Sequence, residues 1–224
     1  MKKPQLNFFH KKNFALRSVS VIFATIMMGF ALSWLLLIDL GADPCTAMNH
    51  AISEKLGLSL GNWQAIFNSV LLLLVLLFGG RNLGVGTLAN MFLVGYSIDF
   101  FTWLWGKLLP AEFFTLPAVR CLVLVPALAL FVLAAAVYMG LDMGTAPYDA
   151  ISFIISSKIS KLSFRNVRKL YDFVVIGIAC CFGGRIQIVT VLMAVTLGPV
   201  VEWVSSYGKK VFPKLFADES ETES

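Results

Sequence analysis

Apolar residues run along this chain in long blocks separated by short polar breaks, without the alternation of a half-buried strand. Residues 14–38, 63–78, 83–105, 121–141, 173–182 and 186–204 are almost free of charge. A helix needs about 20 residues to cross the roughly 30 Å hydrocarbon core of a bilayer. Most of these blocks reach that length, and the fifth does so once its polar lead-in from Phe164 is counted. The pattern predicts an all-α membrane protein with several spans. Signal-peptide cores are about 7–15 residues long and end at a small-residue cleavage site. The first block is longer and leads into "IDLGADP", so it reads as an uncleaved span.

Two short amphipathic segments interrupt the blocks, at residues 44–57 and 147–160. In the first, Ala47, Met48, Ala51, Ile52 and Leu56 share one helical face, and Asn49, His50, Ser53 and Glu54 the other. In the second, Ala150, Ile151, Ile154 and Ile155 oppose Asp149, Ser152, Ser156 and Ser157. Both predict helices with marked starts: Asp43 as N-cap, Pro44 and Pro147 at the first helical position, and Asp149 in the first turn. Ser59 and Ser163 look like caps for the blocks that follow. A helix of ~14 residues reaches only ~21 Å. Each segment is therefore expected to lie in the interface, to re-enter, or to cross where protein encloses it.

The tetrapeptide FGGR ends two of the blocks, at 78–81 and 182–185. At an offset of 103, "DLGADPCTAMNHAISEK" falls on "DMGTAPYDAISFIISSK", matching Asp39 with Asp142, Gly41 with Gly144, Pro44 with Pro147 and Lys55 with Lys158. One inserted residue later, "LSLGN" falls on "LSFRN". Further on, Thr87 meets Thr190, Gly95 meets Gly198 and Asp99 meets Glu202. Apolar matches are cheap in such a chain, whereas matched Asp, Pro, Ser, Asn and Arg are not. The reading is an internal duplication: a basic N-terminus at 1–15, a first unit at 16–107, a linker at 108–117, a second unit at 118–207 and a tail at 208–224. Each unit has a long span, a short segment and two further spans. Six transmembrane helices plus two short broken, re-entrant or interfacial helices make the units inverted. Eight crossings make them parallel, and transporters use both arrangements. Segment length favours six. The positive-inside rule leans towards eight, which puts 16 of the 18 Lys and Arg residues on one side against 14 for six.

Hydrophobic residues make up 58% of the chain and charged residues 14%, with a mean hydropathy of +0.81. A soluble domain carries about a quarter charged residues. The net charge of +5 does not indicate nucleic acid, because its sources sit beside span ends. Lys2, Lys3, Lys11, Lys12 and Arg17 precede the first span; Lys158, Lys161, Arg165, Arg168 and Lys169 cluster between spans; Lys209, Lys210 and Lys214 follow the last. That distribution predicts a cytoplasmic N-terminus and contact with anionic lipid. The acidic tail "ADESETES" reads as disordered. Cys45, Cys121, Cys180 and Cys181 have neither CxxC nor Cys/His spacing, so neither a metal site nor a disulfide framework is expected. No Walker, HExxH or hydrolase-triad pattern is present, so no cofactor and no enzymatic activity are expected, and no P-loop pump within this chain.

The stretch "GADPCTAMNHAISEKLGLSLGNW", followed by a long apolar run and "GVGTLANMFLVGYSIDFF", resembles the YczE/YitT-like family of bacterial membrane proteins over roughly residues 15–207. Cys45 stands where that family's pattern has an aromatic after the Asp-Pro pair. The resemblance implies a small duplicated multi-pass protein of the bacterial inner membrane, associated with transport. It supplies no agreed substrate and no catalytic residues.

Ionisable groups inside spans are costly and usually face a cavity or a partner. Asp99 and Glu202, matched near the ends of the third and sixth spans, are candidates on that ground, against the plainer reading of headgroup-level acids. Asp39 and Asp142 precede the short segments and are candidates for binding a cation or proton, while Asp43 suits capping better. Asn68 and Asp172 are matched, as are Asn62 and Asn166; interhelical bonding is the ordinary role for such groups. Asn90 lies mid-span opposite Met193 and is a candidate for solute contact. His50 reads as solvated, and Arg81 and Arg185 as snorkelling to headgroups. Arg165, Arg168, Tyr171 and Asp172 give the fifth span a polar start that fits an anion site or a basic cytoplasmic rim. The leading functional reading is a small secondary transporter or exporter of a small solute or ion, coupled to a cation or proton through these carboxylates, with a homodimer a further option. The alternatives are a substrate-capturing membrane subunit served by a separate ATPase, and a non-transporting interaction protein.

Overall fold

The computed structural model describes residues 13–78, 83–110, 112–158 and 164–211. The basic N-terminus as far as residue 12, the first FGGR copy beyond Phe78, the basic loop residues 159–163 and the tail from 212 lie outside the described residues. Within them the chain is all helical, with no strand. The helices are α1 (Phe14–Leu37), α2 (Pro44–Leu56), α3 (Leu60–Leu77), α4 (Val85–Leu108), α5 (Pro117–Gly140), α6 (Pro147–Lys158), α7 (Phe164–Cys181) and α8 (Ile188–Val211). A short 3-10 turn, Phe113–Thr115, joins α4 to α5. Their lengths run 24, 13, 18 and 24 residues, then 24, 12, 18 and 24. Four of them, α1, α3, α5 and α8, are long and apolar enough to cross a membrane by length and composition.

Local chemistry sets the breaks. Asp43 caps α2 by accepting from the Thr46 backbone N–H at 3.1 Å, Pro44 takes the first position, and Gly57 closes the helix at φ 66°. Ser59 caps α3 through the Asn62 N–H at 3.3 Å. Asp39 and Asp142, just after α1 and α5, both have φ 48°, and Gly41 and Gly144 follow at 109° and 122°. Asp tolerates the left-handed region better than most side chains. These two matched acids therefore have a backbone reason to recur.

Contacts fix the directions of the long helices. Val21 packs with Ala89, Gly29 lies against Val94, and Ser33 accepts from the Trp105 indole at 3.3 Å, so α1 and α4 run parallel. Gly61 donates to Asp99 at 2.8 Å and Asn68 to the Met91 carbonyl at 3.5 Å, so α3 runs back along α4. Ala127 packs with Val189, and Ala135 and Ala136 with Val201, making α5 and α8 parallel. Arg120, early in α5, donates to the carbonyls of Ile38 and Asp39, both at 2.6 Å. The opposite end of α5, at Tyr138 and Leu141, packs on Val21 and Ala24. Helices α1 and α5 are therefore antiparallel.

Two loop-to-helix junctions brace this frame. At one, Gly86 donates to the Met143 carbonyl at 2.8 Å, Thr87 Oγ1 donates to the Thr145 carbonyl at 2.9 Å, and Tyr138 OH reaches the Gly86 and Gly144 carbonyls, both at 3.2 Å. At the other, Gly41 packs on Thr190 and Gln187.

Candidate functional site

The short helices begin in the interior. Helix α2 runs along α7, with Asp43 near Arg168 and Asp172 and, further on, Ala51 near Ala179 and Gly184. Helix α6 ends at Lys158, whose ammonium lies 4.6 Å from the Phe78 ring centroid at the end of α3. Their first turns come together against the first half of α7, where Cys45 of α2 packs in one cluster with Tyr148 of α6 and Tyr171 of α7.

Arg168 is the centre of that meeting point. Its guanidinium donates to Asp149 on α6 and, through Nε, to both carboxylate oxygens of Asp172 at 3.2 and 3.3 Å. Tyr148 OH donates to Asp172 Oδ1 at 2.7 Å, and the Arg168 Cζ lies 4.9 Å from the Tyr148 ring centroid. The Tyr148 and Tyr171 rings are 4.6 Å apart. Asp172 is only 5% exposed and Asp43 9%. Spacing explains the local part: Arg168 and Asp172 are four apart and meet on one face of α7. Tyr148 and Asp149 fall in the first turn of α6 because Pro147 opens that helix.

Among the described side chains, Asp43, Asp149 and Asp172 stand about one guanidinium, so two negative charges are left over when all three are ionised. Each helix N-terminus contributes about +0.5 of an elementary charge, so the first turns of α2 and α6 offset about one. With all three ionised, the described groups come out roughly one positive charge short in a largely buried place. Burying an unpaired charge is costly; binding a cation or a proton there removes the deficit.

Of the residues singled out from the sequence, Asp43, Asp149 and Asp172 come together here, and Pro44 and Pro147 open the helices that bring them. Asp99 does a different job, accepting from the Gly61 N–H in the first turn of α3. Asn68 is 2% exposed and ties α3 to α4. Asp39 is exposed, with its carboxylate 3.4 Å from Gln187 Nε2. Asp142 and Glu202 are exposed, and Asn90 is half-buried. Asn49 accepts from the Trp63 indole at 3.0 Å and donates to Cys45 Sγ at 3.4 Å. Sequence reasoning left Cys45 and Tyr148 out of the site and read Arg168 as part of an anion site or a basic rim. The usable signal was that Cys45 and Tyr148 each directly follow a matched proline. The polar start of α7 also lacks an equally charged counterpart in α3, where Gln64 and Asn68 match Arg168 and Asp172.

The model of a family of unknown function, DUF6198, matches residues 15–206. The chain belongs to this family. The "Uncharacterized membrane protein YczE" of Bacillus subtilis is 26% identical over 169 residues, covering 73% of each chain. An "Uncharacterized protein" of Haemophilus influenzae is 25% identical over 188 residues, covering 84% of this chain and 83% of its own. No solved structure matches. The YczE-like resemblance read from the motifs is thus borne out. The relative's name and the four apolar helices agree on a membrane location.

Proposed function

We propose that this chain is a small secondary transporter of the bacterial inner membrane. Its binding site is the cluster of Arg168, Asp149, Asp172 and Asp43 where the first turns of α2 and α6 meet. One observation carries the reading: a largely buried cluster of three carboxylates about one guanidinium at the convergence of two short helices. Structural ion pairs inside membrane proteins usually balance. A site that exchanges protons or solutes needs a change of occupancy that costs little.

The architecture in this proposal is two inverted three-span units, with α4 and α7 joining the four apolar helices as spans. Three things support it: the repeated order of helix lengths, the shared φ of Asp39 and Asp142, and the antiparallel relation of α1 to α5, each the first helix of its unit. The charges of α7 lie in its first half, at Arg165, Arg168, Lys169 and Asp172, and Arg168 and Asp172 turn inward to α6, which suits a span enclosed by protein. The basic residues before α1 and after α8 favour cytoplasmic termini. Broken helices meeting between inverted units are a recurrent way to build a solute site. The reading makes the chain a carrier and not a catalyst.

The test is proton flux in proteoliposomes holding the purified protein and a trapped pH-sensitive dye, with a panel of small solutes added outside. The expected result is solute-dependent flux that Asp172→Asn reduces at least about tenfold while the purified variant stays monodisperse. If no solute drives flux in the wild type, the carrier reading fails; if flux needs ATP and a co-purifying subunit, the secondary-transport reading fails.

A further inference from the structure

We infer that the solute is a monovalent organic cation with a planar nitrogen head, a guanidinium or amidinium, and that Arg168 is a tethered competitor for its place. The inference rests on the transport reading above and adds the substrate class.

Arg168 already shows how such a head is held. Its guanidinium sits on two carboxylates and against the face of Tyr148, the combination of charge-assisted hydrogen bonds and ring attraction that selects a planar cation. Among the described side chains, three carboxylates about one guanidinium leave a place for a further monovalent cation. Among the described residues no grouping of His, Cys, Asp and Glu could hold a metal ion. An anion fares worse. Helix N-termini ordinarily attract anions, but here their first turns carry Asp43 and Asp149, and both Arg168–carboxylate pairs are made.

A second, independent observation lies one turn further along α6. Ser152 is fully buried, its hydroxyl has no hydrogen-bond partner, and it stands on the same face as Tyr148, four residues on. A buried hydroxyl left unpaired is costly. Its counterpart Asn49 has both a donor and an acceptor partner. The Ser152 oxygen is thus a spare buried acceptor one turn along α6 from Tyr148 and Asp149. When the solute takes Asp172 and the Tyr148 face, Arg168 retains Asp149. The three carboxylates are then matched by two cations and two helix N-termini.

The experiment uses the reconstituted protein on a solid-supported membrane, with concentration jumps of guanidinium, methylguanidinium, urea and formate in the millimolar range. Urea has nearly the shape of guanidinium without its charge. Saturable currents with the two guanidinium probes and none with urea or formate are expected. Tyr148→Phe should weaken half-saturation several-fold, and Arg168→Gln, which removes the competitor, should tighten guanidinium binding by about tenfold or more. Should Arg168→Gln fail to fold, the Tyr148→Phe shift and the urea control still decide. Responses to formate or urea in place of guanidinium overturn the cation assignment and leave the transporter standing. Silence to every probe, with no proton flux in the dye assay, removes both.

Discussion

At Asp39 and Asp142 the backbone itself gives a carboxylate a reason to recur. Both residues sit at φ 48° directly after a long helix, where a left-handed residue ends the helix and β-branched side chains are strained. From sequence alone, matched acids beside a helix break look like chemistry, because the backbone angle that explains them is invisible there. The buried acids followed the opposite course. Asp172 was legible as a candidate from its place in a span, but Tyr148, which donates to it, and Asp149, which shares Arg168 with it, lie on another helix, and only the three-dimensional contact makes them one cluster. A pair of substitutions separates the two roles at Asp39. Asp39→Gly keeps the turn and is expected to leave both flux and melting temperature nearly unchanged. Asp39→Val forces a β-branched side chain into the same angle and should cost about 1–3 kcal/mol, read as a lower melting temperature in detergent. Loss of flux in a stable Asp39→Gly protein would restore that carboxylate to the list of binding groups.

At the scale of elements the sequence was informative where local signals act. The caps Asp43 and Ser59, the opening prolines and the lead-in of the fifth block from Phe164 all fall where the helices begin. The placement of α2 and α6 was not legible, since their faces read equally well as interfacial helices. What decides their placement is packing against α3 and α7, which is long-range. The junction between α4 and the loop after α5 was equally hidden. There Gly144 has φ 122°, and a Cβ on it would stand 2.7 Å from both Gly84 N and Thr87 Oγ1. Gly144→Ala is therefore expected to separate the two segments and lower the melting temperature markedly, by about 2–4 kcal/mol of stability. Gly177 on α7 has nothing within 4 Å of its added Cβ. Gly177→Ala should be neutral or stabilising by up to about 1 kcal/mol. Equal behaviour of the two alanine variants in a thermal-shift series would mean the junction carries no strain.

Across the whole molecule, the two junctions resemble each other without being equal. Thr87 Oγ1 accepts from Gly84 N at 3.1 Å and donates to Thr145 O, whereas the matched Thr190 Oγ1 is buried with no partner. An alternating carrier built from two like units would exchange such states, each junction closing as the other loosens. Thr87→Val is then expected to destabilise this conformation by about 1–2 kcal/mol, and Thr190→Val to leave its melting temperature unchanged or raise it while slowing flux. Equal losses of stability from both would argue that the difference between the junctions has no part in turnover.

The inverted arrangement behind that exchange can be tested independently of any solute. Helix α3 follows α1 and α7 follows α5, and α1 and α5 are antiparallel, so the ends of α3 and α7 should emerge on opposite faces of the bilayer. Phe78 and Phe182 mark those ends and are 57% and 39% exposed. Single cysteines placed at each, in a background lacking Cys45, Cys121, Cys180 and Cys181, can be labelled in intact cells and in inverted vesicles with a membrane-impermeant maleimide. On the proposed topology, with a cytoplasmic N-terminus, Phe182→Cys should react from outside and Phe78→Cys only from the cytoplasmic face. Labelling of both from one face would mean that α2 and α6 each complete a crossing, giving eight crossings in parallel units. The converging helix starts would then lie between like-oriented halves, and the junction asymmetry could no longer be read as two gates on opposite sides of the membrane.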